Sequence, residues 1–172
     1  MHSVTFLIGI SGSGKTYWQQ RFFKANPEHI VFTRGQCEKA FYYSKRGRFA
    51  DIKTVAEFAR RHTSFPAFMW RRFEATLCKH QQIILDGEFL TVEQRKPYLA
   101  RIRERGIPVY ALIFDTPFEI AYQRNLLRKA PMRKTKAAIE KQSKILNVQT
   151  LPSEVDAVQY VSELLTHNKR HR

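Results

Sequence analysis

One stretch near the N-terminus decides the fold: Val4-Thr5-Phe6-Leu7-Ile8-Gly9-Ile10-Ser11-Gly12-Ser13-Gly14-Lys15-Thr16. Its first five residues are β-branched, aromatic or aliphatic, and such a run is typical of a strand buried in a parallel sheet. Its last eight residues match the pattern G-x-x-x-x-G-K-[ST] in full, between a strand and a helix, as the pattern requires. The stretch therefore predicts a loop that binds the phosphates of a nucleoside triphosphate.

Each residue type in this loop has a part in binding phosphate. Glycines let backbone N–H groups turn inward, and the N-terminus of the following helix adds partial positive charge. Lys15 is expected to reach the β- and γ-phosphates, while Thr16 offers its hydroxyl to Mg²⁺. We expect ATP and Mg²⁺ as cofactors, with nucleotide contacts from seven loop residues: Gly9, Ser11, Gly12, Ser13, Gly14, Lys15 and Thr16.

Strands alternate with helices along the rest of the chain. Residues 30–32, 83–85 and 109–114 have the apolar, β-branched character of further strands. Residues 157–161 suit either a fifth strand or a helix. The alternation predicts an α/β fold: a doubly wound parallel sheet of four or five strands with helices on both faces.

Two helix starts are indicated by their capping residues. Thr91 is expected to be an N-cap, with Gln94 completing a capping box three residues later. Thr116 is expected to cap the next helix, with Pro117 at its first position and Glu119 completing the box. These signals predict one helix after the third strand and another after the fourth.

The composition limits the partners and the setting. With 172 residues, 43% apolar and 13% aromatic, the chain is expected to form one domain over residues 1–172, which excludes a disordered or fibrous protein. The formal charge of +15 favours a polyanionic partner, nucleic acid first and an acidic membrane surface second. Cys37 and Cys78 lack the spacing of a metal or disulfide framework. A reducing cytoplasm is the expected location, the host's if a phage encodes the chain, and no apolar run is long enough for a membrane span.

Residues 35–80 form a strongly basic, aromatic-rich segment without a strand-like run. We expect it to be a helical insert that binds the acceptor, with helices starting near Asp51 and near Ser64. The candidate platform for stacking unpaired bases comprises Tyr42, Tyr43 and Phe49, beside the basic run that ends at Arg48. The other aromatic residues of helical spacing, Phe22, Phe23, Phe58 and Phe73, are expected to lie in the core.

Acidic residues follow the third strand. Asp86 ends the apolar run 83–85, where an acid can hold Mg²⁺ or act on the acceptor hydroxyl, and Glu88 can share either role. The simpler alternative for Asp86 is an Asp-Gly turn that closes a strand.

Residues 124–136 have the layout of a lid. Arg124 and Arg128 are four apart and are expected to share a helical face, and Pro131 then breaks the helix before Thr135 starts the next. Such a helix–loop–helix closes arginines over transferring phosphates and excludes water. The alternative is a solvated basic helix face in a protein that is basic throughout.

Together these residues resemble the kinase domain of phage-type 5′-hydroxyl polynucleotide kinases, within the wider group of P-loop kinases. The resemblance implies a P-loop kinase fold with a helical lid, in which Arg128 stabilises charge on the transferred phosphoryl group and Arg124 helps to hold the nucleotide. It is carried by residues 7–18, Thr33-Arg34, the strand end at Asp86, Phe114-Asp115-Thr116-Pro117, and Arg124-Asn125-Leu126-Leu127-Arg128.

The sequence departs from that family at the acceptor site. The family places an Asp directly after an Arg at the end of the second strand, where it takes the proton from the 5′-hydroxyl, and a phosphate-gripping Arg soon after. Here Arg34 matches, Gly35 replaces the base, and Glu38 stands near the position of the second Arg. Either the acceptor is not a nucleic-acid 5′ end, or another acid takes the proton: Glu38, Asp51, Asp86 or Glu88.

The resulting hypothesis is Mg²⁺-dependent transfer of the ATP γ-phosphate to a hydroxyl on a nucleic acid, foremost a polynucleotide 5′-hydroxyl, in repair or modification of DNA or RNA. Lys15, Asp86, Arg128 and Glu38 are the expected catalytic residues, and Arg34 and Glu88 are expected to bind the acceptor. A small-molecule nucleoside or nucleotide kinase is the first alternative, although it does not need the +15 charge. The second alternative, a nucleic-acid-binding ATPase switch, is favoured by the missing base at Gly35.

Overall fold

The computed structural model describes residues 2–48 and 50–162 and contains a central sheet of five parallel strands. The strands lie in the order β2-β3-β1-β4-β5, so the first strand is at the centre. This confirms the predicted parallel α/β fold and settles the open segment near residue 157 as a strand. The strands are β1 (Ser3–Ile8), β2 (Ile30–Thr33), β3 (Gln82–Asp86), β4 (Val109–Ile113) and β5 (Ala157–Tyr160).

Helices connect the strands and cover both faces of the sheet. The helix expected after the loop pattern begins at Lys15, and Asn26 caps its end before Pro27. A short 3-10 helix, Ala130–Met132, lies in the predicted lid. The α-helices are α1 (Lys15–Ala25), α2 (Arg34–Arg46), α3 (Ile52–Arg61), α4 (Phe65–Lys79), α5 (Val92–Arg103), α6 (Phe118–Leu126), α7 (Lys136–Ile145) and α8 (Leu151–Glu154).

The central strand fixes the two halves of the core because its side chains alternate between the faces. Phe6 and Ile8 are fully buried in the larger cluster, which is completed by side chains from α2 to α5 and from α8. Leu7 faces the smaller cluster on the other side, where Trp18 of α1 packs. A strand buried on both faces reads as a continuous apolar run, which is the pattern of residues 4–8.

Helices α2, α3 and α4 form the predicted helical insert, between β2 and β3. Asp51 caps α3 by accepting hydrogen bonds from the N–H groups of Lys53 and Thr54, and α4 begins at Phe65. Both predicted helix starts are therefore confirmed. We refer to these three helices together as the three-helix unit.

One predicted helix start is wrong and the other is confirmed. Thr91 caps α5 with the expected box to Gln94. Thr116 makes no capping bond, because α6 begins only at Phe118 and the Thr116 hydroxyl donates instead to the carbonyl oxygen of Ser13, at 2.8 Å. The threonine thus connects the end of β4 to the phosphate loop. Within the described ranges, no helix has the length and apolarity needed to span a bilayer.

Candidate active site

A cavity of about 610 Å³ opens at the edge of the sheet where β1, β2 and β3 end. Ligands of open parallel sheets bind at this edge, beyond the carboxyl ends of the strands. The cavity brings together residues that the sequence analysis selected from four separate segments. Those on its wall are Gly9, Ser11, Lys15, Thr16, Arg34, Glu38, Asp86, Glu88 and Arg128.

The phosphate loop is packed closely against helix α6. Gly12 has a φ of +87°, and a Cβ built there would lie 2.1 Å from the carbonyl oxygen of Ala121. Gly14 caps α1 with a φ of +104°. The backbone conformation therefore favours glycine at both positions, and at Gly12 the space also requires it.

Lys15 is held by the loop that it follows. Its Nζ donates to the carbonyl oxygens of Gly9 and Ile10, the second at 3.0 Å. Burial lowers the pKa of Lys15 to about 8, the charge of Asp86 opposes this effect, and the charge of Arg128 adds to it. Negatively charged phosphate oxygens beside this buried ammonium group would stabilise its charged form.

Asp86 ends β3, paired in register with Leu7 of the central strand. Burial raises the pKa of Asp86, while the charge of Lys15 and the neighbouring amide of Gln19 lower it. Thr16 lies on the same cavity wall. One carboxylate and one hydroxyl beside bound phosphates form a set of oxygen ligands that suits Mg²⁺.

The opposite side of the cavity is formed by the start of α2. Arg34 Nε donates to Glu38 Oε1 at 2.8 Å, so this i,i+4 pair places a cation and an acid on the wall together. Between them, a Cβ at Gly35 would meet only Thr33 Oγ1, at 3.9 Å. A Cβ therefore fits at this position, where the family that the sequence resembles carries an aspartate. Asp51, by contrast, caps α3 and does not line the cavity, so it is a poor candidate for the base.

The lid differs from its predicted geometry. Helix α6 ends at Leu126, so Arg124 and Arg128 do not share a helical face as expected. Arg128 lies two residues beyond the helix and still reaches the cavity wall. Arg124 points to the phosphate loop, with Nη1 3.5 Å from the carbonyl oxygen of Ser13.

Glu88 connects three parts of the site. Its Oε1 accepts hydrogen bonds from Lys134 Nζ and from Gln142 Nε2, the latter at 2.9 Å. Gln142 Oε1 in turn accepts the N–H of Ser11 at 2.8 Å. The predicted acceptor-binding acid therefore ties the loop after β3 to the end of the lid and, through α7, to the phosphate loop.

A profile of the AAA_33 family, described as an AAA domain, matches residues 4–148, which include the phosphate loop, Asp86 and the lid. The chain belongs to the AAA_33 family. No curated protein matches the sequence.

The AAA_33 chain shares its fold with several solved structures. The tunicamycin resistance protein of Deinococcus radiodurans aligns with a TM-score of 0.59 and 13% identity, over 94% of this chain and 87% of that one. A chain of the Pnkp1/Rnl/Hen1 RNA repair complex aligns with a TM-score of 0.61 and 19% identity, over 90% of this chain and 46% of that one. A gluconokinase from Sinorhizobium meliloti aligns with a TM-score of 0.53 and 12% identity, over 93% of this chain and 82% of that one. The AAA_33 chain thus has a kinase-like P-loop fold and spans under half of the RNA repair chain.

The sequence analysis missed one buried cation behind the site of this AAA_33 chain. Arg95 of α5 has no solvent exposure. It donates to the carbonyl oxygen of Phe89 at 3.0 Å and forms two 2.8 Å bonds to the carboxylate of Glu154, whose pKa it lowers. Arg95 therefore anchors the loop that carries Glu88. Its spacing in the sequence resembles that of any surface helix arginine, so no local signal indicates this role.

Only some residues of the predicted stacking platform are exposed as stacking requires. Tyr42 is buried, with its ring 5.2 Å from that of Phe58, and does not present the exposed face that stacking requires. Tyr43 is 49% exposed and Arg48 is exposed. Phe49 lies outside the described residues. Tyr42 belongs instead to the core between α2 and α3.

The pKa of Lys15 predicts a pH dependence for nucleotide binding by the AAA_33 chain. Without nucleotide, the Lys15 ammonium loses its proton as pH rises through about 8. Bound phosphate favours the charged form of Lys15, so nucleotide binding above that pH requires the uptake of a proton. We expect Kd for Mg·ATP to rise by up to about tenfold per pH unit above 8. Lys15→Arg, whose guanidinium stays charged, should give a flat profile. Calorimetric titrations from pH 7 to 9.5 test this, and a flat profile for the wild type would contradict it.

Proposed function

We propose that the protein catalyses Mg²⁺-dependent transfer of the ATP γ-phosphate to a hydroxyl of a nucleic acid, foremost a polynucleotide 5′-hydroxyl. One observation carries the proposal: a single cavity joins Lys15, Asp86 and Arg128 to the Arg34–Glu38 pair at the start of the three-helix unit. The first group suits a triphosphate, and the second faces the space left for an acceptor. A two-sided site of this kind is what group transfer requires.

On the nucleotide side, the loop N–H groups and Lys15 hold the phosphates, and Arg124 lies beside the loop to contact the nucleotide. Thr16 and Asp86 would hold Mg²⁺, which supplies charge neutralisation at the β- and γ-phosphates when bound. Arg128 reaches the cavity from the lid and stabilises charge on the phosphoryl group in transfer. Lys15, Thr16, Asp86 and Arg128 line the cavity, and Arg124 lies beside the loop that precedes Lys15.

The transfer step needs a place for one proton. The acceptor oxygen forms a bond to the γ-phosphorus as the bond to the bridging oxygen of ADP breaks, and the hydroxyl proton passes to a carboxylate. Glu38, Asp86 and Glu88 line the cavity and are the candidates, whereas Gly35 has no group to accept it. Since the transition state is loose, positioning and charge stabilisation carry most of the catalysis, and a weak base suffices.

The polymeric acceptor is supported by the charge of the three-helix unit and the loop around it. Residues 35–80 contain ten Lys and Arg against four Asp and Glu. Two of the acids are bound within the protein: Glu38 by Arg34, and Glu74 by Arg101 and Arg105. Asp51 is a helix cap. The cations therefore outnumber the acids that could neutralise them on this surface, as expected of a nucleic-acid contact.

Several of these cations are held over aromatic rings. The guanidinium of Arg46 lies 5.0 Å from the ring centroid of Phe58, and that of Arg72 lies 5.9 Å from Phe68. Such contacts restrict long side chains before a phosphate arrives. The solved relatives include a chain of an RNA repair complex and a fungal RNA kinase, the second at a TM-score of 0.58 and 12% identity over 93% of this chain and 38% of that one. These support the same acceptor class.

A small-molecule kinase is the second candidate, and one feature of the cavity favours it. The rings of Phe32, Phe89 and Tyr98 form an apolar wall beside the amide of Gln94. A concave apolar wall with few polar groups is typical of a site for a small ligand. The same wall can also receive the terminal nucleoside of a polynucleotide, so the acceptor must be identified by assay.

The decisive assay supplies γ-labelled ATP and Mg²⁺ with separate acceptors: a 5′-hydroxyl oligonucleotide, tRNA, duplex with modified bases, and a mixture of nucleosides and sugars. Label in a nucleic acid supports the proposal. Label confined to small molecules would establish the second candidate. Free phosphate alone would indicate an ATPase switch, and either of these two results would overturn the proposal.

Salt dependence tests the polyanion contact directly. For about three phosphate contacts to a single strand, KM for the oligonucleotide should rise about tenfold or more between about 50 and about 200 mM salt. Arg46→Ser with Arg72→Ser should reduce the slope of log KM against log salt by about 1.4, since each contact contributes about 0.7. Lys141→Ser with Lys144→Ser, exposed cations of α7, is the matched control with an unchanged slope. A wild-type KM that does not change with salt would contradict the contact.

A further inference from the structure

Two of the few polar side chains in the described core are carboxamides, Asn125 and Gln142, and both lie beside the lid. Asn125 is fully buried in the last turn of α6. Burying a carboxamide is costly unless its hydrogen bonds are made. Its partners therefore show what the residue holds in place.

Asn125 binds both ends of the lid loop. Its backbone carbonyl accepts the N–H of Arg128 at 3.1 Å. Its side-chain Oδ1 accepts the N–H of Lys134 at 3.0 Å, and its Nδ2 donates to the carbonyl of Lys134 at 2.7 Å. Asn125 thus holds the two ends of the loop from Arg128 to Lys134 close together, as in a compact Ω-loop.

The far end of this loop has a second attachment. The side chain of Lys134 donates to Glu88, which also accepts from Gln142. Arg133 adds a bond from its Nη2 to the carbonyl oxygen of Arg128, at 3.2 Å. Fixing both ends leaves the backbone of Arg128 few alternative positions, although its neighbours Leu127 and Lys129 are exposed.

We propose that Asn125 is a positioning residue that holds the Arg128 guanidinium at the γ-phosphate. The inference rests on the role given to Arg128 under the proposed function. Asn125 does not line the cavity, so it acts through the lid backbone. Displacement of a catalytic group by about 1 Å can lower the rate about a hundredfold. A residue that fixes the backbone of the lid can therefore affect the rate without contacting the substrate.

The test is a double-mutant cycle with the γ-phosphate as the probe. Affinities for Mg·ATP and Mg·ADP are measured in the wild type, Asn125→Asp, Arg128→Ala and the double variant. Asn125→Asp keeps the acceptor for the Lys134 N–H and loses the donor to its carbonyl. When Arg128 is present, we expect Asn125→Asp to lower the preference for ATP over ADP by about tenfold. When Arg128→Ala is already in place, adding Asn125→Asp should leave that preference unchanged. An equal loss in both backgrounds would overturn the proposal.

A second pair of variants keeps the test valid if Asn125→Asp does not fold. Lys134→Ala removes only the side chain, whereas Lys134→Pro also removes the N–H that Asn125 accepts. Arg133 is extended, with φ −79° and ψ 126°, and accommodates a following proline. The preference should fall further for Lys134→Pro than for Lys134→Ala, and only when Arg128 is present. Equal preferences for both variants would contradict the proposal.

The control and the second readout separate this inference from the proposed function. Asn26→Ala removes a carboxamide that donates to the carbonyl of Phe22 at 3.0 Å, far from the cavity, and should leave the preference unchanged. A wild type that labels no nucleic acid would overturn the proposed function alone. The coupling between Asn125 and Arg128 in nucleotide affinity would still be measured, because it requires no acceptor.

Discussion

Lys15→Ala is expected to abolish phosphoryl transfer to every acceptor, with a loss of about a thousandfold or more in kcat/KM. Lys15 brings the only ammonium group among the cavity-lining residues within the described ranges. Its charge lies between the loop carbonyls and Asp86, and the shortened side chain cannot replace it. The variant loses charge stabilisation of the β- and γ-phosphates in both the ground state and the transition state, so both KM for ATP and kcat should suffer.

The measurement is single-turnover labelling with γ-labelled ATP, together with a thermal unfolding scan. Lys24→Ala, in the last turn of the same helix and exposed, is the matched control and should keep full activity. The unfolding temperature should stay close to that of the wild type, because the variant loses the burial cost of the ammonium together with its hydrogen bonds to Gly9 and Ile10. Labelled product at a rate within tenfold of wild type would show that the phosphate loop is not the site of the reaction.

Arg128→Ala is expected to lower kcat by about a thousandfold while leaving the affinity for ADP within a factor of two to three of wild type. The physical reason is that the guanidinium acts on charge that develops at the γ-phosphate, which ADP lacks. Arg128→Lys should recover only part of the rate, since an ammonium cannot make the two parallel bonds of a guanidinium. The measurement is kcat under saturating ATP, with ADP affinity from competition.

The control for Arg128 is its neighbour. Lys129→Ala removes an exposed cation one residue away and should change kcat by less than about threefold. If both variants reduced kcat to the same extent, general positive charge of the lid would explain the effect, and a specific role for Arg128 would be excluded. A loss of ADP affinity equal to the loss in kcat would likewise move the contact of Arg128 away from the γ-phosphate.

The local sequence patterns predicted the sheet and the phosphate loop well, for identifiable reasons. A strand buried on both faces must be apolar throughout, and a loop that wraps phosphate beside α6 must have glycine at positions 12 and 14. Those requirements act on neighbouring residues and therefore leave a readable pattern. The capping box of Thr91 is equally local and is confirmed.

The errors arise where tertiary contacts compete with a local signal. Thr116 has the sequence of an N-cap, yet its hydroxyl donates to the carbonyl oxygen of Ser13 across the fold. Tyr42 lies in a basic segment and is nevertheless buried against Phe58, because the face of α2 it occupies packs on α3. Local propensity cannot indicate which partner a side chain meets at long range.

The lid shows the same limit at the site itself. The spacing of Arg124 and Arg128 predicts a shared helical face, but the helix ends between them and Arg128 reaches the cavity from the loop. The residues that hold this arrangement, Asn125 and Gln142, are uncharged amides whose partners are distant in sequence. The charged residues that line the cavity thus leave a signal in the sequence, whereas the buried amides that contact their loops do not.

Transfer to a nucleic-acid 5′-hydroxyl is tested by locating the label within the product. A 5′-hydroxyl oligonucleotide is incubated with γ-labelled ATP, Mg²⁺ and either wild type or Lys15→Ala, and the product is digested to mononucleotides. We expect label on the 5′-terminal mononucleotide with the wild type and none with Lys15→Ala. An oligonucleotide that remains unlabelled while the wild type consumes ATP would contradict it.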